Sequence, residues 1–289
     1  MPIADLLKRH TVVFDGGLGS MLMAAGLPAG VGPEAWNLDR PDAVAEVHRQ
    51  YFAAGSHVVH SNSFGASPVK LAERGLVDRA EAINRRAAEI ACSVRPEGRL
   101  VAGDIGPTGK MLLPFGDLDP AAAEDAFRRQ ADALLSGGAD LISIETMFSL
   151  DEALLALRAA KSLGEVFVVA SLTYNRTPRG FFTMMGDGVS GAVLAFEAAG
   201  ADAIGSNCGL GSADMVELAA ALRAGTRLPI LIQPNAGQPV VERGCTVYRQ
   251  TPAEFAADAL RINTAGADML GGCCGTTPEF IQALAQAVR

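Results

Sequence analysis

Four phrases in the sequence repeat one pattern: AAGSHVV, SGGADLI, AAGADAI and TAGADML. Each reads as the end of a helix, a glycine cap and the first residues of a buried strand. Strand and helix therefore alternate, and alternation favours a parallel sheet, because parallel neighbours need a crossover between them. The β-rich runs are Thr11–Gly17, His57–Ser63, Leu100–Gly106, Leu141–Thr146, Val166–Leu172, Ala203–Gly209, Pro229–Asn235 and Met269–Gly275, eight in all. Between them lie stretches with apolar residues at helical spacing, of which Asp42 to Ala54 and Ala121 to Leu135 are the clearest. Eight βα units is the number that closes on itself, and such barrels typically use about 250 residues as one unit. With 289 residues and no low-complexity or Pro/Ser-rich linker, the chain is expected to be α/β, a single-domain (β/α)8 TIM barrel over residues 1–289. The alternative is an open doubly wound sheet. Against it, no GxGxxG follows an early strand, and the DGGLGS turn lacks the final glycine spacing.

Composition narrows the function. Hydrophobic residues make up 49% and charged residues 19%, enough apolar material for a large core. Aromatics are only 6%, too few for a platform of stacked rings. The net charge is −8, and Lys and Arg form no basic stripe, so no nucleic-acid partner is expected. No apolar run reaches the roughly 18 residues of a membrane span, so no membrane partner is expected either. The opening MPIADLLKRH lacks the sections of a secretory signal, which points to the cytoplasm. There, five cysteines read as thiols or metal ligands rather than disulfides.

Barrels place their chemistry at the C-terminal ends of the strands. Asp15, Asn62, Ser63, Asp104, Glu145, Asn207, Cys208, Asn235, Cys273 and Cys274 all fall at or just after such ends. Cys273 and Cys274 are adjacent in GGCCG, and Cys208 lies in SNCGLG. Neighbours on a strand point to opposite faces, so two adjacent thiols meet one ion only where the backbone turns. Gly271, Gly272 and Gly275 permit that turn. Three thiolates with one open position is the catalytic form of a zinc site, a structural site usually having four protein ligands. Such a negatively charged centre is a weak Lewis acid toward water. It can instead hold a substrate thiol, with a free pKa of about 8.5, deprotonated near neutral pH. By spacing alone, a zinc site, ordinary core thiols and a vicinal redox disulfide all stay open. Cys92, in AAEIACSV, reads as a small core residue, and Cys245, in ERGCTVY, as an incidental loop thiol.

The segment GGCCGTTPEFI resembles the homocysteine S-methyltransferase family, and within it the homocysteine-binding barrel of the cobalamin-dependent methionine synthases. The resemblance runs from DGGLGSMLMAAG through GDIGPTG, GGADLISIET, IGSNCGLG and PNAGQP. It implies a barrel enzyme that moves a methyl group to the thiolate of homocysteine, forming methionine. It also implies one zinc ion per chain on Cys208, Cys273 and Cys274, with the homocysteine sulfur as fourth ligand. The asparagine of the PNAG turn, here Asn235, can fill that position without substrate. Amino-acid recognition maps onto Asp15, Gly16 and Gly17 and onto Glu145, and Ser63 at the end of the second strand joins them. A zwitterion needs a carboxylate for its ammonium and backbone N–H groups for its carboxylate, which a glycine-rich turn supplies. The plainer alternatives are an arginine pair for Glu145 and a helix-capping role for Asp15. His48 and His57 read as structural. His60 lies nearer the mouth but has no motif partner.

No pterin-binding segment and no DxHxxG signature follow the barrel motifs. The methyl donor is therefore expected to be methylcobalamin on a separate corrinoid protein or a small molecule such as S-methylmethionine or betaine. TYNRTPRGFFTMMGDG departs from the methionine synthase pattern after the fifth strand, which leaves a non-standard donor or thiol acceptor open for this chain. The competing reading is a thiol-presenting subunit of a multi-component corrinoid methyltransferase, inactive alone.

Overall fold

The computed structural model describes the backbone of residues 2–242 and 245–288. Strand and helix alternate eight times: β1 (Val12–Val13), α1 (Pro41–Ala54), β2 (Val58–His60), α2 (Ala80–Ser93), β3 (Leu100–Ile105), α3 (Pro120–Ser136), β4 (Leu141–Met147), α4 (Leu150–Lys161), β5 (Val168–Leu172), α5 (Val189–Ala198), β6 (Ala203–Gly211), α6 (Ser212–Gly225), β7 (Ile230–Asn235), α7 (Pro252–Thr264), β8 (Met269–Leu270) and α8 (Pro278–Ala287). The strands pair in parallel in the order β1-β8-β7-β6-β5-β4-β3-β2. A parallel bridge between Phe14 and Val58 brings β1 to β2 and closes the ring. This is the expected (β/α)8 barrel.

The period of two along each strand sorts the core into two layers. Phe14, Leu100, Leu141, Val169, Leu231 and Met269 point inward and fill the lower barrel, where Ile3 and Leu6 of a short N-terminal helix join them. The alternate residues, such as Val101, Ile142, Val168 and Ile232, point outward and pack against the helices.

The repeated phrases have a common job. Gly55, Gly138, Gly200 and Gly266 each take a positive φ, between 81° and 116°, which ends a helix without a Cβ clash. Two residues later a side chain accepts an N–H from the first or second residue of the neighbouring strand. Asp140 accepts from Val101 at 2.8 Å, Asp202 from Val168 at 2.7 Å, and Asp268 from Ile230 at 3.0 Å. In the fourth phrase His57 does the same with Nδ1, accepting from Val13 at 2.9 Å. That confirms a structural role for His57.

The strands are shorter than expected where the site forms. β1 stops at Val13, β2 at His60 and β8 at Leu270, rather than at Gly17, Ser63 and Gly275. Beyond those points the backbone leaves the ladder to make turns: Cys273 N–H donates to Pro234 O at 2.8 Å, and Ala236 N–H to Cys274 O at 3.0 Å. Two antiparallel hairpins unforeseen in the sequence grow from the loops after β5 and β7. One pairs Asn175–Thr177 with Gly180–Phe182, the other Val240–Glu242 with Cys245–Val247. The first lies inside the segment that departs from the family pattern. Cys245 thus sits in a hairpin strand, and its side chain lies outside the described residues. No helix among the described residues is long and apolar enough to cross a membrane.

Candidate metal and thiol site

The three cysteines singled out by motif converge. Their sulfurs lie within 4.8 Å of one another, with Cys208 and Cys274 4.0 Å apart and Cys273 and Cys274 3.9 Å apart. All three are free thiols. Cys208 reaches the cluster because β6 breaks its register between Asn207 and Gly211. Its φ is +58°, a left-handed conformation rare outside glycine and a local strain of about 1–3 kcal/mol. Cys273 and Cys274 arrive on a turn closed by Thr276, whose N–H and Oγ1 both donate to Cys273 O, at 3.2 and 2.7 Å. Gly275 is required there: its φ is +80°, and an added Cβ would sit 2.4 Å from the Tyr248 ring.

The sulfurs polarise one another. Hydrogen bonds from Cys273 and then Cys274 favour the thiolate at Cys208, while hydrogen bonding with that sulfur raises both Cys273 and Cys274. A cluster with one thiolate already favoured is primed for a cation. Among the described residues the set is all sulfur, with no His or carboxylate in the group and no fourth member. Soft ligands in that number fit a catalytic zinc centre.

The cluster forms one wall of a cavity of about 370 Å³ at the C-terminal end of the barrel. Gly16, Gly17, His60, Ser63, Asp104 and Glu145 also line it. Glu145 reaches the interior from β4 on the same face as Ser143, as the period of two predicts. No Arg or Lys among the described residues pairs with it. Burial raises its pKa to about 7, with the His60 charge opposing and Asp15 and Cys208 assisting. Asp104 is buried, and its Oδ1 has no hydrogen-bond partner. Burial, then the nearby Glu145 carboxyl, holds Asp104 well above the usual carboxylate range.

Other expected contacts sit differently. Asp15 is fully buried and does not cap the helix that follows, whose N-cap is Gly17 with no side-chain bond. Its Oδ1 meets His60 Nδ1 at 2.7 Å, and its Oδ2 accepts the His60 backbone N–H at 2.9 Å. Asp15 thus underlies the cavity, because both oxygens are committed to His60. Ser63 donates its hydroxyl to Asp104 O at 2.7 Å, tying β2 to β3. Asn235 is buried and accepts the Cys274 N–H at 3.2 Å, which holds the turn that carries two of the thiols. His48 is buried in α1, as a structural residue should be.

Sequence reasoning missed three contributors. His60 has a partner after all, Asp15, and its Nε2 meets Ser143 Oγ at 3.1 Å. Its inward position, two residues after Val58, was the available signal. Burial opposes its charge, but Asp15, Glu145 and Asp104 outweigh that and raise its pKa to about 10. Glu34 braces the loop after β2 by accepting the Gly65 N–H at 2.7 Å and pairing with Arg74 at 3.2 Å. Tyr248 places its phenol against Cys274. Neither Glu34 nor Tyr248 belongs to a recognisable motif.

Comparison with known proteins agrees with this geometry. A family profile described as homocysteine S-methyltransferase matches residues 12–288. The methionine synthase of Mycobacterium tuberculosis is 34% identical over 99% of this chain, and that of Mycobacterium leprae 33% identical over 99%. The chain spans about a quarter of the length of these curated relatives, 25% in each case. Among solved structures, the metallated form of the Escherichia coli homocysteine methyltransferase MmuM superposes with a TM-score of 0.81 at 24% identity, over 99% of both chains. Its apo form gives 0.79 at 25% identity, over 99% of this chain and 100% of that one. The chain belongs to the homocysteine S-methyltransferase family, whose reaction is methyl transfer to the sulfur of homocysteine.

Proposed function

We propose that this chain methylates the thiolate of homocysteine to form methionine, using one zinc ion held by Cys208, Cys273 and Cys274. The observation that carries the reading is the pairing, in one cavity, of a three-thiol cluster with the unpaired carboxyl of Glu145. One end of the cavity suits a sulfur and the other an ammonium. When bound, zinc supplies the Lewis acidity that keeps an acceptor sulfur ionised near neutral pH.

The residues of the chain do the positioning. The turn at Gly16 and Gly17 lines the cavity. The Gly17 N–H is already given to Thr276 O and Oγ1, both at 3.1 Å, so Gly16 is the glycine whose backbone suits a carboxylate of the acceptor. Glu145 receives the ammonium. Holding the acceptor at both ends fixes its sulfur in one place and turns binding into orientation, which lowers the entropic part of the barrier. The methyl donor is either a small molecule, such as S-methylmethionine or betaine, or methylcobalamin on a separate corrinoid protein.

The test is a donor screen with homocysteine on the zinc-loaded chain, with S-methylmethionine, betaine and free methylcobalamin as separate arms. Methionine formation with any one donor supports the reading and identifies the donor class. A chain that takes up zinc but neither binds nor methylates homocysteine with any donor overturns it.

A further inference from the structure

We infer that His60 is a positioning residue of this site: a fixed buried cation, clamped between Asp15 and Ser143, that lets the carboxyls of Glu145 and Asp104 share one cavity and receive a single ammonium group. The inference rests on the acceptor being an amino-acid thiol, as proposed above.

The geometry fixes the imidazole at both ring nitrogens and its backbone at a third point. Nδ1 lies 2.7 Å from Asp15 Oδ1, Nε2 lies 3.1 Å from Ser143 Oγ, and the backbone N–H reaches Asp15 Oδ2 at 2.9 Å. The residue is only 6% exposed, and what it exposes faces the cavity. The ring cannot rotate without losing both contacts. With both nitrogens protonated, both donate, and the two acceptors are already in place.

The charges around it run in one direction. The titratable groups that act on His60 are Asp15 beneath it, Glu145 from β4 and Asp104 from β3. His48 from α1 is also near, but burial holds its pKa down to about 4, so it is neutral. Glu145 and Asp104 each respond more strongly to His60 than to Asp15. The ion pair therefore presents its positive end to the cavity. Two carboxyls facing the same desolvated space repel each other, and one answer is for both to take up protons. Protonated, neither would hold an ammonium by charge. A fixed cation beneath them opposes that. Asp104 Oδ1, buried and without a partner, is then an acceptor waiting for a donor that the protein does not supply. An ammonium carries enough N–H groups to satisfy both carboxyls together.

An ordinary structural role is the competing account. The Asp15–His60 contact also ties the end of β1 to β2, where the barrel closes. A tie of that kind affects folding and has no reason to discriminate between ligands.

The experiment measures binding of homocysteine and of 2-mercaptoethanol to the zinc-loaded protein by calorimetry, for wild type and for His60→Gln. Both thiols offer a sulfur, and only homocysteine offers an ammonium. The variant is expected to weaken homocysteine by about tenfold or more, the loss of one charge-assisted contact. 2-Mercaptoethanol affinity and zinc content should stay within about twofold. Ring-nitrogen NMR of the wild type should show His60 doubly protonated near neutral pH. An unchanged homocysteine affinity, an equal loss for both thiols, or a neutral His60 ring overturns the inference. A wild type with no preference for homocysteine removes the amino-acid acceptor itself, a failure visible before any variant is made. Should His60→Gln not fold, Ser143→Ala removes only one side of the clamp. It is expected to weaken homocysteine by about threefold with 2-mercaptoethanol unmoved, and no selective loss there also overturns the inference.

Discussion

Asn207 grips Thr146 with both halves of its amide: Oδ1 accepts the Thr146 N–H at 2.7 Å, and Nδ2 donates to Thr146 Oγ1 at 2.7 Å. Thr146 needs the grip. Its φ is +58°, an unfavourable conformation for a β-branched residue. The twist at Thr146 falls directly after Glu145, where the pairing of β4 with β5 shifts register between Ile144 and Met147. The same Nδ2 approaches Cys273 Sγ at 3.9 Å, so one amide connects the carboxylate side of the cavity to the sulfur side.

Asn207→Leu should therefore act on substrate before metal. Removing two buried hydrogen bonds releases Thr146 toward an ordinary backbone conformation and moves Glu145 with it. A cost of about 1–3 kcal/mol is expected, read as a loss of homocysteine affinity with zinc content close to one per chain. Unchanged homocysteine binding would show that the grip does not set Glu145.

The metal assignment makes a sharper prediction. Cys208→Ala, Cys273→Ala and Cys274→Ala should each lose tight zinc binding and methyl transfer, because two thiols are left where three converged. Cys92→Ala should keep both: its Sγ donates to the Gly138 carbonyl, at 3.2 Å, and the residue packs against the core rather than joining the thiol cluster. Metal analysis of the purified variants checks this. Full zinc occupancy in any of the first three would show that its sulfur is not a ligand.

At the opposite end of the barrel, Asp202 accepts the Val168 N–H and pairs with Lys161, both at 2.7 Å. Asp202→Ala leaves the first N–H of β5 without its partner, and a loss of about 1–3 kcal/mol in unfolding free energy is expected. Asp202→Asn keeps an acceptor and should recover most of it. Urea unfolding decides, and zinc content should not move in either variant.

The barrel was legible because its punctuation is local. A glycine cap is followed two residues later by an acid in three copies and by His57 in the fourth, all in neighbouring letters, and the four copies set the period. The thiol cluster was legible because the strand-end rule turns distant letters into neighbours. The strand ends themselves were not legible. The chain from Gly271 to Gly275 has strand-like composition, but its hydrogen bonds go to turns and to the loop after β7. The partnership of His60 with Asp15 was half legible. The period of two pointed His60 inward, and a polar ring inside a closed barrel needs a partner. Which partner it takes depends on β1 meeting β2, a contact between residues 45 apart. The strand-end rule puts Asn207 at the mouth, but its grip on Thr146 depends on a backbone twist that no sequence pattern records.

Two buried histidines give stability opposite slopes with pH. His48 is fully buried, and neither ring nitrogen has a partner. Burial lowers its pKa from 6.5 to about 4. Between those values the unfolded chain binds more protons than the folded one, so stability falls as pH falls from about 6.5 to about 4. The shift corresponds to a loss on the order of 3 kcal/mol. His60, raised to about 10, contributes stability that is fully present below about 6.5 and lost as pH rises. His48→Leu should flatten the acid limb of a denaturation series on metal-free protein and leave the alkaline limb alone. An unchanged acid slope would mean that His48 keeps its ordinary proton affinity in the fold.

Glu145→Gln separates recognition from metal binding. Glu145 stands on the same inward face as Ser143 and shares a cavity with the three thiols, yet no Arg or Lys among the described residues pairs with it. The glutamine keeps the shape and one acceptor oxygen but removes the charge. Losing a charge-assisted contact is worth roughly 1.5–3 kcal/mol, or about ten- to a hundred-fold in homocysteine affinity. A simple thiol without the amino-acid group should bind the variant as it binds wild type, because it never uses the carboxylate. The pH profile should respond as well. Burial puts the Glu145 proton at about 7, so charge-based binding of homocysteine grows as pH rises through that value in wild type, and the glutamine variant should keep only the rise that comes from ionising the thiol, which a simple thiol shows as well. Zinc content should stay at one per chain, since no ligand has been touched. If both thiols weaken equally, or if zinc is lost, Glu145 supports the fold or the metal site rather than the acceptor's ammonium.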